Sequence, residues 1–158
     1  MHVARSLIVT ACFGLAVVGL TPAMTRAETV PDKLHTPTDG SAERATILAG
    51  LRRHWQNTRT PDGGTYRGKI TFRVNYLKVH NGWAWVYAEP HSSLAKERFP
   101  ENSGFLLHQK NGRWEVVKLP PMDDNGDGAF NPSPADLARI RKTYPTVAAD
   151  IIPIEKRR

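Results

Sequence analysis

Two Asn-Gly dipeptides constrain the fold of this chain more than any other feature. Asn81-Gly82 lies within TYRGKITFRVNYLKVHNGWAWVYAEP, and Asn111-Gly112 lies within SGFLLHQKNGRWEVVKL. The runs that flank each dipeptide are rich in β-branched and aromatic residues, which favour strands. Asn-Gly accepts positive φ at both central positions of a two-residue turn and is therefore a strong hairpin signal. The sequence predicts two β-hairpins, hence four antiparallel strands, with Pro90–Gly104 as a long loop between them.

The two-residue turns also predict which side chains share a face of the sheet, because successive strand residues point to opposite sides. In the first hairpin, one face has the predicted cross-strand pairs Val79–Ala84 and Leu77–Val86, and the opposite face has His80–Trp83, Lys78–Trp85 and Tyr76–Tyr87. In the second hairpin, one face has the pairs Leu107–Val116 and Gln109–Trp114, and the other has His108–Glu115 and Leu106–Val117. The first hairpin thus has one small aliphatic face and one aromatic face.

Two helices flank the hairpins in the sequence. In SAERATILAGLRRHWQ, Ser41 is a predicted N-cap, and the apolar residues of one helical face are Ile47, Leu48, Leu51 and Trp55. SPADLARIRKTYP predicts a second, short helix with an apolar stripe at Leu137, Ile140 and Tyr144. The helix and the sheet each leave apolar surface in water unless they pack together. The predicted fold is α+β, with one long helix packed on a four-stranded antiparallel sheet and a short C-terminal helix.

Three stretches in this order carry a resemblance. ERATILAGLR, LKVHNGWAWVYAEP and NGRWEVVKL resemble a pattern in small exported bacterial proteins of no assigned function. The resemblance covers most of Ser41–Leu119, and the helix followed by two hairpins is similar to cystatin-like and NTF2-like domains. It implies the fold and no particular activity.

The N-terminus has the three parts of a secretory signal peptide, which predicts export to the periplasm or the outside of the cell. Residues 1–27 contain Arg5, the apolar run Leu7–Leu20 and small residues before a cut at Glu28. That run has 14 residues, whereas a membrane-spanning helix needs about 20. Cys12 lies in VTAC, which resembles a lipoprotein processing box, but the apolar run continues past it and argues against lipidation.

Removal of the signal peptide defines the predicted mature chain. It has an irregular leader at 28–40, a single α+β domain at 41–153 and a basic tail at 154–158. It contains no cysteine, which excludes a disulfide framework and thiol chemistry, and no predicted transmembrane segment. Its 20 basic and 15 acidic residues leave a net charge of +5. This modest excess, in an exported chain, does not predict a nucleic-acid partner.

The aromatic face of the first hairpin is the first candidate functional site. Aromatic rings beside polar or cationic groups can stack on sugar rings and other flat ligands. The residues of this predicted ligand-binding face are Tyr76, Lys78, Trp83, Trp85 and Tyr87. The alternative interpretation is that these rings form the core under the long helix, because large aromatics usually supply core area.

The loop PPMDDNGDGAFNPSPADL is the second candidate site. Counted from Asp123, it resembles the first nine positions of an EF-hand or dockerin-type calcium loop, with Gly128 at the sharp turn. The predicted calcium ligands are Asp123, Asn125, Asp127, Ala129, Asn131 and Asp136. Pro134 occupies the position of the usual closing carboxylate, so Asp136 would close the site from two residues further on. The alternative is a polar turn in which Ser133, Pro134 and Asp136 cap the second helix.

The sequence contains no GxSxG, HExxH or P-loop motif, and its histidines have no compact metal-binding spacing. The predicted function is therefore a non-catalytic binding module, stabilised by a weak calcium site, whose ligand or protein partner is unknown. An enzyme that uses a pocket between helix and sheet is the alternative. A purely structural, calcium-stabilised accessory protein is the third hypothesis.

Overall fold

The computed structural model describes residues 33–94, 99, 103–122 and 132–153. Its elements are α1 (Ala42–Asn57), β1 (Ile70–His80), β2 (Trp83–Ser92), β3 (Ser103–Lys110), β4 (Arg113–Val116), α2 (Pro134–Thr143) and a 3-10 turn (Ala149–Ile151). The strands form one antiparallel sheet in the order β1-β2-β3-β4. The predicted α+β fold, with a four-stranded antiparallel sheet and two helices, is confirmed. The predicted signal peptide and basic tail lie outside the described residues.

Both hairpins turn at Asn-Gly with the backbone conformation that this dipeptide favours. Asn81 has φ 51° and Gly82 has φ 71°, while Asn111 and Gly112 have φ 49° and 75°. The predicted register is confirmed at every pair of the first hairpin from Tyr76–Tyr87 to His80–Trp83, and in the second at Leu107–Val116, His108–Glu115 and Gln109–Trp114. Two residues of positive φ match the twist of the flanking strands, so local sequence determines both turns.

A β-bulge at Asn75 corrects the simple alternation expected along β1. The register shifts between Val74 and Tyr76. On the α1 side of the sheet, the buried or partly buried residues of β1 have even numbers before the bulge (Ile70, Phe72, Val74) and odd numbers after it (Leu77, Val79). One extra residue brings both sets onto the same face of the sheet, because side chains alternate with a period of two.

Strand β2 runs further than the sequence predicts, so the expected loop at 90–104 begins later, after Ser92. Pro90 pairs with Phe72 of β1, whereas the described pairing of β2 with β3 reaches only to Ala88. A proline has no N–H to donate, which is tolerated where a strand has a neighbour on one side only. The β1–β2 hairpin therefore extends past the described part of β3.

The first hydrophobic core lies between α1 and the sheet. Its buried residues are Ile47, Leu51, Trp55, Tyr66, Ile70, Leu77, Val79, Ala84, Val86, Ala88, Phe105, Leu107 and Trp114. Two successive arginines of α1 bind the outer strands: Arg52 Nε donates to the Ile70 carbonyl (2.9 Å) and Arg53 Nη2 to the Trp114 carbonyl (3.0 Å). These bonds attach α1 to β1 and β4, the two edges of the sheet.

A second hydrophobic core lies on the opposite face of the sheet. It is covered by residues 132–153, which we call the C-terminal segment. The buried residues of this second core are Trp83, Trp85, Leu106, Ile140, Val147, Ile151 and Ile152. Helix α2 begins with a capping box in which Ser133 and Asp136 satisfy each other's backbone N–H, and Pro134 follows the cap. The predicted cap of this helix is confirmed.

Candidate ligand-binding face

The side of the sheet opposite α1, which we call the second face, brings together all five residues of the predicted ligand-binding face. Cross-strand pairing arranges them in three consecutive rows: His80–Trp83–His108–Glu115, then Lys78–Trp85–Leu106, then Tyr76–Tyr87–Gly104. The two turns determine the pairs within each hairpin, whereas the pairing of β2 with β3 joins the two hairpins into continuous rows. What the turns leave open is which part of this face meets solvent.

Trp83 and Trp85 are buried, with 3% and 0% of their surface exposed. Trp83 stacks on His108 with 4.0 Å between ring centroids, and its Nε1 donates to Thr146 Oγ1 (3.1 Å). The alternative interpretation placed these rings under the long helix; the structure places them under the C-terminal segment instead. A ligand reaches them only if this segment moves, so a groove lined by both tryptophans stays a prediction.

Polar contacts hold the C-terminal segment on the second face. The Tyr76 hydroxyl donates to the Ile151 carbonyl (3.0 Å), and His80 Nδ1 lies 3.0 Å from both carboxylate oxygens of Asp150. The Tyr144 hydroxyl donates to the Lys118 carbonyl (2.6 Å). Burial raises the pKa of the Tyr76 phenol and the Asp150 carboxylate raises it further, so Tyr76 remains a neutral donor.

The first row also contains a histidine that favours the neutral state. Burial lowers the pKa of His108, Lys110 lowers it further, and Glu115 acts in the opposite direction. A neutral imidazole stacks on the Trp83 ring as a flat, weakly polar group. The described contact of the His108 ring in this row is its stacking on Trp83.

Beyond these rows, β1 and β2 continue into a polar end of the second face. Arg73 opposes Glu89, and Thr71 opposes His91. Asn75 Nδ2 donates to Glu89 Oε1 (3.0 Å), and Arg73 Nη1 lies 3.7 Å from Glu89 Oε2. The Glu89 side chain is 28% exposed and that of Arg73 is 73% exposed. An amide, a carboxylate and a guanidinium thus lie side by side and accessible to solvent.

Tyr87, in the third row, lies between the two rows that are buried under the C-terminal segment and this polar end. It is half-buried, and its cross-strand neighbour on β3 is Gly104. An aromatic ring next to hydrogen-bonding groups can stack on a flat polar ligand while those groups orient it. Sequence reasoning missed Asn75 and Glu89, because only the bulge brings Asn75 to the side of Glu89. The switch from even to odd apolar positions in β1 is the signal that could have revealed it.

Asp136 is the one predicted calcium ligand within the described residues; Asp123, Asn125, Asp127, Ala129 and Asn131 lie outside them. Its Oδ2 accepts from Ser133 N (3.0 Å) and Ser133 Oγ (2.7 Å), and its Oδ1 accepts from Arg139 Nη1 (2.7 Å). This carboxylate, 1% exposed, already has a cationic partner. A calcium ion would have to compete with Arg139 for it.

Within the described part of the chain, no cluster of three or more His, Cys, Asp or Glu side chains is arranged to hold a metal ion. Among the described helices, none combines the length and apolarity of a membrane span. Comparisons with protein-family models, curated proteins and solved structures found no match. The resemblance to exported bacterial proteins, cystatin-like and NTF2-like domains therefore stays a prediction based on the sequence motifs.

Proposed function

We propose that this chain is an exported, non-catalytic binding module and that the second face of its sheet is the binding surface. Export is inferred from the signal-peptide features of residues 1–27. The 16-residue helix α1, bound to both outer strands through Arg52 and Arg53, supports the resemblance to folds in which one long helix packs on a curved sheet.

The observation that carries the proposal is the boundary at Tyr87. Here a half-buried ring beside a glycine adjoins the Asn75–Glu89–Arg73 network on the same face. The two buried tryptophans and Leu106 form a firm base for this boundary, because the C-terminal segment packs against them. A binding site needs such a rigid base to hold its polar groups in place.

The ligand that fits these groups is a flat, polar molecule of the saccharide type, such as a cell-wall glycan. Its ring would stack on Tyr87, and its hydroxyls would pair with the Glu89 carboxylate and the Asn75 amide. Arg73 and the half-buried Lys78 would favour a ligand that also carries a negative charge. Such a site would be shallow, so we expect weak binding that improves with ligand length.

The test is a titration of the protein with soluble peptidoglycan fragments, followed by calorimetry and by the NMR shifts of β1 and β2 amides. Glu89→Gln keeps the size of the side chain but removes its charge, and we expect it to weaken binding about tenfold, since hydrogen bonds to charged groups contribute about 1.5–3 kcal/mol. The matched control is Glu115→Gln, which removes an exposed carboxylate from the first row of the same face.

Binding that is lost in Glu89→Gln and kept in Glu115→Gln would support the proposal. Equal affinity in both variants, or shifts confined to the α1 side of the sheet, would contradict it. The second outcome would instead favour the enzyme hypothesis. The observation that supports the enzyme hypothesis is the half-buried His54 of α1, whose ring contacts Trp55 and Phe105 at the first core.

A weak calcium site at 123–136 remains part of the proposal as a structural element. Its support is the spacing of Asp123, Asn125 and Asp127. Its role would be to fix the start of α2 against the sheet. Calcium binding at this site requires the Asp136 carboxylate to leave Arg139 and bind the ion. Measuring the free energy of unfolding at increasing calcium concentration tests this.

A further inference from the structure

His35 connects the leader to the sheet. Its backbone N–H donates to the Val79 carbonyl (3.0 Å), and the Val79 N–H donates to the His35 carbonyl (2.9 Å). The two residues thus form an antiparallel bridge at the outer edge of β1. Next to this bridge, Leu34 packs on the second core and Pro37 is buried. The leader therefore covers part of an exposed sheet edge before the chain enters α1.

Both ring nitrogens of His35 face hydrogen-bond acceptors. Nδ1 lies 2.8 Å from the Lys33 carbonyl oxygen, and Nε2 lies 2.8 Å from Glu43 Oε2 in the first turn of α1. A carbonyl and an ionised carboxylate cannot donate, and a neutral imidazole has only one N–H. Both contacts are hydrogen bonds only when the ring is the doubly protonated imidazolium.

Between a carboxylate and an imidazole, the proton is held by the imidazole, which is the stronger base. Glu43 Oε1 is buried and has no hydrogen-bond partner among the described residues. The imidazolium is thus the described cationic partner of this part-buried carboxylate at the start of the helix.

Among the residues that the structure describes, the charged groups that act on His35 are Glu43 of α1 and Lys78 of β1. Burial by itself lowers the pKa of His35, and the charge of Lys78 lowers it as well. The hydrogen bond to the Lys33 carbonyl and the contact with the Glu43 carboxylate outweigh both, so the pKa is raised above 6.5. A raised pKa agrees with the geometry, because an acceptor at each ring nitrogen favours the doubly protonated ring.

We propose that His35 is a protonation-dependent latch, in which the imidazolium ties the leader to α1 and β1 and loss of its ring proton releases it. A neutral ring leaves one lone pair directed at a carbonyl or carboxylate oxygen, and the contact becomes repulsive. Because the folded group binds its proton more tightly than the unfolded one, the stability that the latch contributes is fully present below pH 6.5 and is lost as the pH rises through the folded pKa. Opening uncovers the β1 edge at Val79 and the place of Leu34 on the second core.

The experiment is a pH titration of the ¹⁵N-labelled protein. Two-bond ¹H–¹⁵N spectra of the imidazole report the protonation of His35, and hydrogen exchange, corrected for its intrinsic pH dependence, reports the opening of the Val79 amide. We expect an imidazolium at pH 6.5 and an increase in Val79 exchange as the ring loses its proton. The exchange of Val86 in the sheet interior should stay constant.

Glu43→Gln removes the charge of the acceptor and should lower the His35 pKa, because a neutral amide stabilises the imidazolium less than a carboxylate does. Glu115→Gln, an exposed carboxylate on β4, should leave it unchanged. A His35 ring that is already neutral at pH 6.5 in the wild-type protein would overturn the proposal. So would a Val79 amide whose exchange does not follow the titration of the ring, or a Glu43→Gln variant with the wild-type pKa.

Discussion

Replacing Gly50 by alanine tests how closely α1 lies against β4. Gly50 is buried in the middle of the helix, and a Cβ added there would lie 2.4 Å from the Trp114 carbonyl oxygen, 3.0 Å from its carbon and 3.1 Å from the Trp114 Cβ. Most of these atoms belong to the backbone of an outer strand, so no side-chain rotation can relieve the clash. The same carbonyl accepts the hydrogen bond of Arg53.

Two effects of opposite sign determine the result. Helix propensity alone would make Gly50→Ala more stable by about 0.8–1.0 kcal/mol. The distance from the new Cβ to the Trp114 carbonyl oxygen must lengthen from 2.4 Å to at least 3.0 Å, which moves α1 away from β4. Such overpacking costs about 1–3 kcal/mol. Weakening the Arg53 hydrogen bond adds about 0.5–1.5 kcal/mol. We expect a net loss of about 0.5–3.7 kcal/mol in the free energy of unfolding.

The assay is urea unfolding followed by far-UV circular dichroism and by tryptophan fluorescence. Ala45→Gly, at an exposed position of the same helix, is the matched control and should lose only the propensity difference, about 0.8–1.0 kcal/mol. A Gly50→Ala protein that is as stable as the wild type, or more stable, while Ala45→Gly behaves as expected, would refute the close contact between α1 and β4.

Two further predictions concern the cap of α2 and the half-buried His54. Asp136→Ala removes the capping box and should lower the free energy of unfolding by about 1–2 kcal/mol. If calcium binds with a Kd of about 10⁻⁴–10⁻³ M, about 10 mM calcium should raise the free energy of unfolding of the wild type by about 1.4–2.7 kcal/mol and leave that of the variant unchanged. A wild type whose stability does not rise with calcium has no such site. Burial lowers the pKa of His54, so its contribution to stability is present above pH 6.5 and is lost as the pH falls towards its folded pKa. His54→Phe should therefore flatten the acid side of the stability profile measured by urea unfolding between about pH 8 and pH 5, and an unchanged profile would contradict the burial of this ring.

The parts of the fold that local sequence determines were predicted correctly. Each Asn-Gly turn specifies its own register, so the pairing of Tyr76 with Tyr87 and of His108 with Glu115 followed without any knowledge of the rest of the chain. The caps of both helices were equally local, because a serine N-cap bonds to a backbone N–H three residues away. The bulge at Asn75 was missed although the change in apolar parity along β1 indicates it.

The parts that depend on distant contacts could not be predicted in this way. Nothing in the motif around His35 shows that it bridges Val79 and meets Glu43, since those contacts form only once the leader, β1 and α1 are assembled. The same holds for the ring of Trp83, whose burial depends on Thr146, 63 residues further along the chain. Pattern reasoning assigned the aromatic side chains to one face but could not identify what covers that face.

The extent of this cover narrows the search for a ligand site. A sheet with apolar residues on both faces needs a layer on each side, and α1 can supply only one of them. The C-terminal segment supplies the other, and among the described residues it reaches as far as Tyr76 in the third row, where the Tyr76 hydroxyl donates to the Ile151 carbonyl. The second face must then become polar where the cover ends, and β1 and β2 do become polar there, at Asn75 and Glu89. If the second face is the binding surface that we propose, a ligand that leaves the C-terminal segment in place would bind at this boundary, and mutagenesis should therefore address Tyr87 before the buried tryptophans.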